Sequence, residues 1–289
     1  MHKKMLPLFL LALSCITVEA PEKHADYVVL GKSINHRQSP DGDLAFLNTV
    51  FFGEIFRTKN GTVTNGYLSG PGEASGNLRF SEGDVLFLAG KRQFSIEALT
   101  ENFPDTTYYF NYDTPDGNMR DMPVTFTRDE GEIRNPDPIK IFLQQDGETA
   151  DPRAINPGLD LVVSWSKFEK GRADPKGIID DMIYVIMGNC MGEKIVHSGP
   201  AFNDGPNLTF REREFVISKE SLHPGQPYQV EVEQSEMDTD EYKKIEIIVT
   251  YAASSFLDIK TTGANIQEPD CPDIPYAMDG GQTDRKRIY

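Results

Sequence analysis

The stretch Leu222-His223-Pro224-Gly225-Gln226-Pro227-Tyr228-Gln229-Val230-Glu231-Val232-Glu233-Gln234 decides how the second half of this chain folds. Pro224-Gly225 reads as a turn, because proline presets φ and glycine accepts the left-handed backbone of tight turns. From Pro227 the pattern alternates. Tyr228, Val230 and Val232 fall on one face, and Gln229, Glu231 and Glu233 on the other. A period of two marks a strand with one buried face. Working outward, Asp160-Leu161-Val162-Val163-Ser164-Trp165 is a strand-like run ending on the only tryptophan. Residues 182–187 are continuously apolar, as in a central strand covered on both faces. Shorter runs follow at 207–211 and 215–217, and Ile245, Ile247, Val249 and Tyr251 make a further inward series. The acidic segment 236–241 reads as the polar hairpin loop between the last two strands.

These residues resemble a fibronectin type III domain. The segment 222–228 is similar to the family's L-x-P-x-x-x-Y run before strand F, and Leu161–Trp165 to the strand B segment that carries the core tryptophan. The resemblance spans 136–262 and implies an immunoglobulin-like sandwich. In it Leu222 enters the core, Pro224 and Gly225 turn the chain between sheets, and the Tyr228 hydroxyl bonds back to that connection. It further implies a binding, spacing or adhesion role rather than catalysis, with Trp165, Leu222, Pro224 and Tyr228 structural. Fold alone does not fix function. The segment exceeds the family norm, which places an enlarged loop around 188–207.

The first half, 22–133, resembles no family. Strand-like runs at 27–30, 46–56, 85–88, 107–112 and 123–127 are rich in β-branched and aromatic residues. Turn pairs such as Asn60-Gly61 and Asp116-Gly117 separate them. Residues 94–103 predict one helix, capped by Ser95 and ended by Phe103-Pro104. Asn135-Pro136-Asp137-Pro138 reads as an extended linker, since residues before proline avoid the helical region. No internal repeat is visible. The expected fold class is all-β, with two β-sandwich-like domains in tandem (22–133 and 136–262) and an extended tail over 263–289.

A chain of 289 residues, 38% hydrophobic and bearing 24 Gly and 19 Pro, suits two turn-rich β domains. Its net charge of -16 repels phosphate backbones and anionic lipid, so nucleic acid is not an expected partner. Residues 1–20 have the layout of a secretory signal: Lys3 and Lys4, then an apolar run shorter than the ~20 residues of a membrane span. Val18-Glu19-Ala20 fits the small-x-small cleavage rule but precedes Pro21. Leu11-Ala12-Leu13-Ser14-Cys15 resembles a bacterial lipobox, with Ala12 where leucine is usual. It would make Cys15 a lipidation site and the only contact with a membrane. Both readings predict export. Cys190 and Cys271 then remain as a pair in an oxidising compartment. A disulfide between them closes a loop of about 80 residues, worth about 4 kcal/mol on the chain-entropy account.

Chemistry-bearing motifs are few. C-x-x-C, H-x-x-x-H, G-x-S-x-G and the phosphate-cradling loop are absent, and no cofactor is implied. His24, His36, His197 and His223 are scattered and read as ordinary polar positions. Asp41 and Asp43, and Asp238 and Asp240, carry the clustered oxygens that calcium favours, without the EF-hand spacing. Asn60-Gly61-Thr62 and Asn207-Leu208-Thr209 are glycosylation sequons, relevant where the source cell glycosylates. Glu54, Glu97 and Glu101 are carboxylates near aromatic residues, as a glycoside hydrolase would need. The expected function is a non-enzymatic exported module for binding, adhesion or envelope structure, with an unknown protein or carbohydrate partner. The alternative is a secreted carbohydrate-active hydrolase whose second half is an accessory domain.

Overall fold

A computed structural model describes residues 23–83, 85–126, 136–190, 193–199, 207–264 and 271. The signal segment, Cys15, most of the tail and parts of the 188–207 loop lie outside these residues. The first half contributes β1 (Ala25–Gln38), β2 (Leu44–Arg57), β3 (Thr64–Ser69), β4 (Leu78–Arg79) and β5 (Val85–Ala89). The helix α1 (Ile96–Asn102), β6 (Thr107–Thr114) and β7 (Gly117–Thr125) complete it. The second half contributes β8 (Ile141–Gln145), β9 (Glu148–Thr149), β10 (Leu161–Trp165), β11 (Met182–Asn189), β12 (Lys194–His197) and β13 (Leu208–Thr209). It ends with β14 (Glu214–Ile217), β15 (Pro227–Tyr242) and β16 (Ile245–Lys260). The chain is all-β, and no helix among the described residues is long and apolar enough to cross a membrane.

The strands form three sheets. A large one runs β12-β11-β15-β16-β1-β2-β5, with β13 paired to β11, and two four-stranded sheets run β14-β10-β8-β9 and β4-β3-β6-β7. The large sheet takes strands from both halves because β15 and β16 are each 16 residues long. At about 3.3 Å per residue each spans about 50 Å, more than one sandwich needs. They pair along their whole length, from Pro227 opposite Lys260 to Tyr242 opposite Ile245. Lys243 and Lys244, at φ 52° and 66°, make the two-residue turn. The segment 236–241, expected as a loop, is therefore strand. Positive φ at both turn residues is normally signalled by Asn-Gly, and the lysines hide it.

Two hydrophobic cores lie against this sheet. The second half's core gathers Leu161, Val163 and Trp165 of β10 with Val185, Tyr228, Val230 and Ile259. The first half's core gathers Leu30, Phe51, Phe103, Tyr108 and Phe110 with Ile245, Ile247, Val249 and Tyr251. That last series was expected in the second core and belongs to the first. It reaches there because β1 pairs in parallel with β16, Tyr27 beside Glu246 through Gln38 beside Leu257. The buried small residues Ala252, Ala253, Ser254 and Ser255 occupy the waist of β16 between the cores. Two β-sandwich-like domains in tandem were expected, and the two cores lie against one shared sheet.

The opposite face of the large sheet carries its own apolar cluster, centred on Tyr27, Val29, Met182, Met237 and Ile248. This face is concave. Met182 and Tyr184 of β11 pack in one cluster with Phe52 and Phe56 of β2, four strands away in the sheet order, which a flat sheet would forbid. Gly31 serves the curl, since a Cβ there would lie 2.2 Å from the Phe52 ring on the neighbouring strand.

Expected local features take concrete form. Ser95 caps α1 by accepting the Ala98 N–H. The Tyr228 hydroxyl accepts the His223 N–H at 2.8 Å and donates to Gln226 Oε1 at 3.1 Å. Leu222 is buried beside it.

Candidate functional site

A groove of about 490 Å³ opens where the turn between β1 and β2 meets β8. The turn is built by short-range bonds. The Ser39 N–H donates to the Asp43 carbonyl at 2.8 Å, the Gly42 N–H to the Ser39 carbonyl at 2.9 Å, and the Asp43 N–H to Ser39 Oγ at 3.1 Å. Gly42 sits at φ 90°, where a side chain would be strained. Just before the turn, the buried Gln38 amide binds the edge of β8. Its Oε1 accepts the Ile141 N–H at 2.7 Å and its Nε2 donates to the Ile141 carbonyl at 2.8 Å. Two residues further, the Ala150 N–H occupies the Leu143 carbonyl at 2.9 Å. An edge strand that would otherwise offer a template is closed by a side chain and a loop.

β8 alternates, with Ile141, Leu143 and Gln145 inward and Phe142 and Gln144 outward. Phe142 is therefore held on the outer face of its sheet, 50% exposed, and it lines the groove. Around it stand Lys140, Gln144, Thr149, Ser164 and Asp41. Register sets Ser164 opposite Phe142 and Thr149 opposite Gln144. Asp41 is engaged by Arg153 at 3.2 Å. The site offers an aromatic face, neutral hydrogen-bonding groups and opposite charges that nearly cancel. Sequence reading missed it. A signal existed: in Ile141-Phe142-Leu143-Gln144 the phenylalanine occupies the polar phase of the alternation.

The concave face of the large sheet holds a different set of groups. Glu233 accepts Ser235 Oγ at 2.7 Å and Ser254 Oγ at 3.0 Å, and burial pushes its carboxyl above the ordinary range. Tyr184 lies opposite it in the register and is pushed well up by burial and by the Glu233 charge. The His197 ring lies 6.2 Å from that of Tyr184. Its Nδ1 accepts the Gly199 N–H at 2.9 Å, which puts the proton of the neutral ring on Nε2. Burial, with Lys194 adding to it, lowers His197 to about 4. Of the three carboxylates singled out in the first half, Glu54 reaches this set, while Glu97 and Glu101 stand exposed on α1.

A third arrangement is internal to the first core. Lys32, only 2% exposed, is paired with Asp105, its ammonium 4.8 Å from the Phe126 ring centre and 5.7 Å from that of Tyr251. Burial lowers the lysine, and Asp105 works against that shift. The contacts are those of a structural ion pair under an aromatic lid.

Asp41 and Asp43 lie in the turn after β1, near Leu257, whereas Asp238 lies beside Val249 toward the far end of β15, two residues before Asp240. Among the described residues no group of three or more His, Cys, Asp or Glu is arranged to hold a metal ion. Cys190, at the end of β11, is disulfide-bonded to Cys271 with Cα atoms 4.4 Å apart. Asn60 and Asn207 are exposed. Compared with known proteins, the chain matches no family model and no curated protein.

Proposed function

We propose that this chain is an exported, non-enzymatic binding module whose second half is a fibronectin type III-like sandwich, with the ligand held in the groove beside β8. The family reading is supported by sheet order. Counting the longer strands from β8, the first, second and fifth (β8, β10, β14) face the third, fourth, sixth and seventh (β11, β12, β15, β16). The first, second and fifth facing the third, sixth and seventh is the partition of an immunoglobulin-type sandwich, and the fourth, β12, pairs with the third as an added strand beside it. The Tyr228 hydroxyl bonded to the backbone before its own strand, and Trp165 in the core, support it further. The observation that carries the binding reading is Phe142, held half-exposed in a groove of small-molecule size. Export rests on the N-terminal signal layout, with lipidation at Cys15 as its variant.

Fragment mapping tests the reading. In amide-shift spectra of the mature protein with a library of small polar-aromatic fragments, perturbations should centre on Phe142, Gln144, Thr149 and Asp41. Perturbations centred elsewhere, or none, would overturn it. A second reading, a carbohydrate-active hydrolase, is favoured by the approach of Glu54 and Glu233 to one tyrosine. It requires that Glu54→Gln and Glu233→Gln each abolish a glycosidase activity of the wild-type chain.

A further inference from the structure

From the shape and chemistry of the groove we infer that its ligand is a neutral saccharide, gripped by stacking on Phe142. This rests on the groove being the binding site. The site refuses a peptide strand. A peptide docking along β8 would add as a strand, and that mode needs free N–H and C=O groups on the edge. Here both polar groups of the Ile141 backbone are taken by the Gln38 amide, and the Leu143 carbonyl is taken by Ala150. Main-chain recognition is closed off by the fold itself.

Charge disfavours an anionic ligand. The chain carries -16, and the only groove carboxylate, Asp41, already faces Arg153. Lys140 is the one lining cation, so an anionic ligand would meet a single positive charge within a repulsive field. Neutral ligands escape that cost.

The remaining groups of the groove suit a sugar. A half-exposed aromatic face flanked by Gln144, Thr149 and Ser164 offers one apolar platform and several neutral donors and acceptors. A pyranose presents the complementary pair, a C–H face and a rim of hydroxyls. The groove's volume lies within the ~300–1,000 Å³ of small-molecule sites, enough for a short oligosaccharide. Phe142 packs outward from its strand, so the platform can be changed without disturbing either core.

The test is calorimetric titration of the mature protein with a fixed panel: the pentasaccharides of β-1,4-glucose, β-1,4-xylose, α-1,4-glucose, β-1,4-mannose and β-1,4-N-acetylglucosamine, and an uncharged ten-residue peptide. At least one saccharide should bind, with Phe142→Ala weakening it about tenfold or more and Phe142→Trp retaining it. The melting temperature of Phe142→Ala should match wild type, separating lost contact from lost fold. Saccharide binding indifferent to Phe142→Ala overturns the inference, as does peptide binding in the groove or silence across the panel. If the fragment map still centres on Phe142, only the ligand class has failed. If it does not, the binding reading has failed with it.

Discussion

The two cores of this molecule lean on the same strand yet are built differently. The first is aromatic: Phe51 stacks on Phe103 at 4.1 Å, Tyr108 packs against Phe51 and Phe126, and Phe126 and Tyr251 close over the buried Lys32. The second is mostly aliphatic, with Trp165 and Tyr228 among valines, leucines and isoleucines. Each has a tyrosine bonded to backbone just upstream. Tyr108 donates to the Pro104 carbonyl at 2.9 Å, whereas Tyr228 accepts the His223 N–H at 2.8 Å. The difference teaches where each core gets its material. The second is nearly self-contained in sequence, while the first borrows Ile245, Ile247, Val249 and Tyr251 from the far half.

The sharpest way to break that comparison is Tyr251→Ala. Emptying a fully buried aromatic position costs about 4 kcal/mol. Though it lies in the second half, it should speed hydrogen exchange in β6 far more than in β10, and Trp165→Ala should do the reverse. Equal effects on both would mean a single undivided core.

Acid should act from the β12 side. His197 titrates at about 4 rather than at the ordinary 6.5. Between those values the unfolded chain takes up a proton that the folded chain refuses, so stability falls as pH drops through the window. Because the ring is only partly buried, about 1–2 kcal/mol is at stake. His197→Gln should flatten this slope in denaturant titrations at pH 6.5 and 4. Glu233 works in the opposite sense. Its raised carboxyl keeps a proton that the unfolded chain has released, adding stability at low pH that fades as pH rises.

The tyrosines can be compared directly. Tyr228→Phe strands a backbone N–H and should cost about 1.5 kcal/mol. Tyr108→Phe strands only a carbonyl, which keeps a second lone pair for water, and should cost about 0.5 kcal/mol. Chemical denaturation of both variants gives the order, and a larger loss at Tyr108 would refute the distinction.

The smallest expected effect concerns the hairpin that joins the cores. Replacing Lys243-Lys244 with Asn-Gly suits a turn whose residues both have positive φ and should stabilise by about 0.5 kcal/mol. A loss instead would mean that the lysines contribute through contacts of their own.

Much was legible in the residues themselves. The alternation after Pro227, the run ending at Trp165, the Ser95 cap and the β-branched runs around residues 27, 50, 86 and 110 each mark a local choice with a local cause. Periodicity and turn chemistry act over a few residues, so sequence determined the all-β class and most of its strands. What lay beyond it needed partners far away in the chain. Residues 236–241 look like a loop until the first core demands a strand there, and Ile245 to Tyr251 reveal their destination only once β1 lies parallel beside them. The groove is of the same kind. Phe142 gains meaning when the Gln38 amide, 103 residues earlier than Ile141, closes the edge of its strand and the turn at Asp41 walls the cleft. Local pattern sets which face of a strand is apolar. Only tertiary pairing decides what that face meets, because the free energy of meeting it belongs to no single segment.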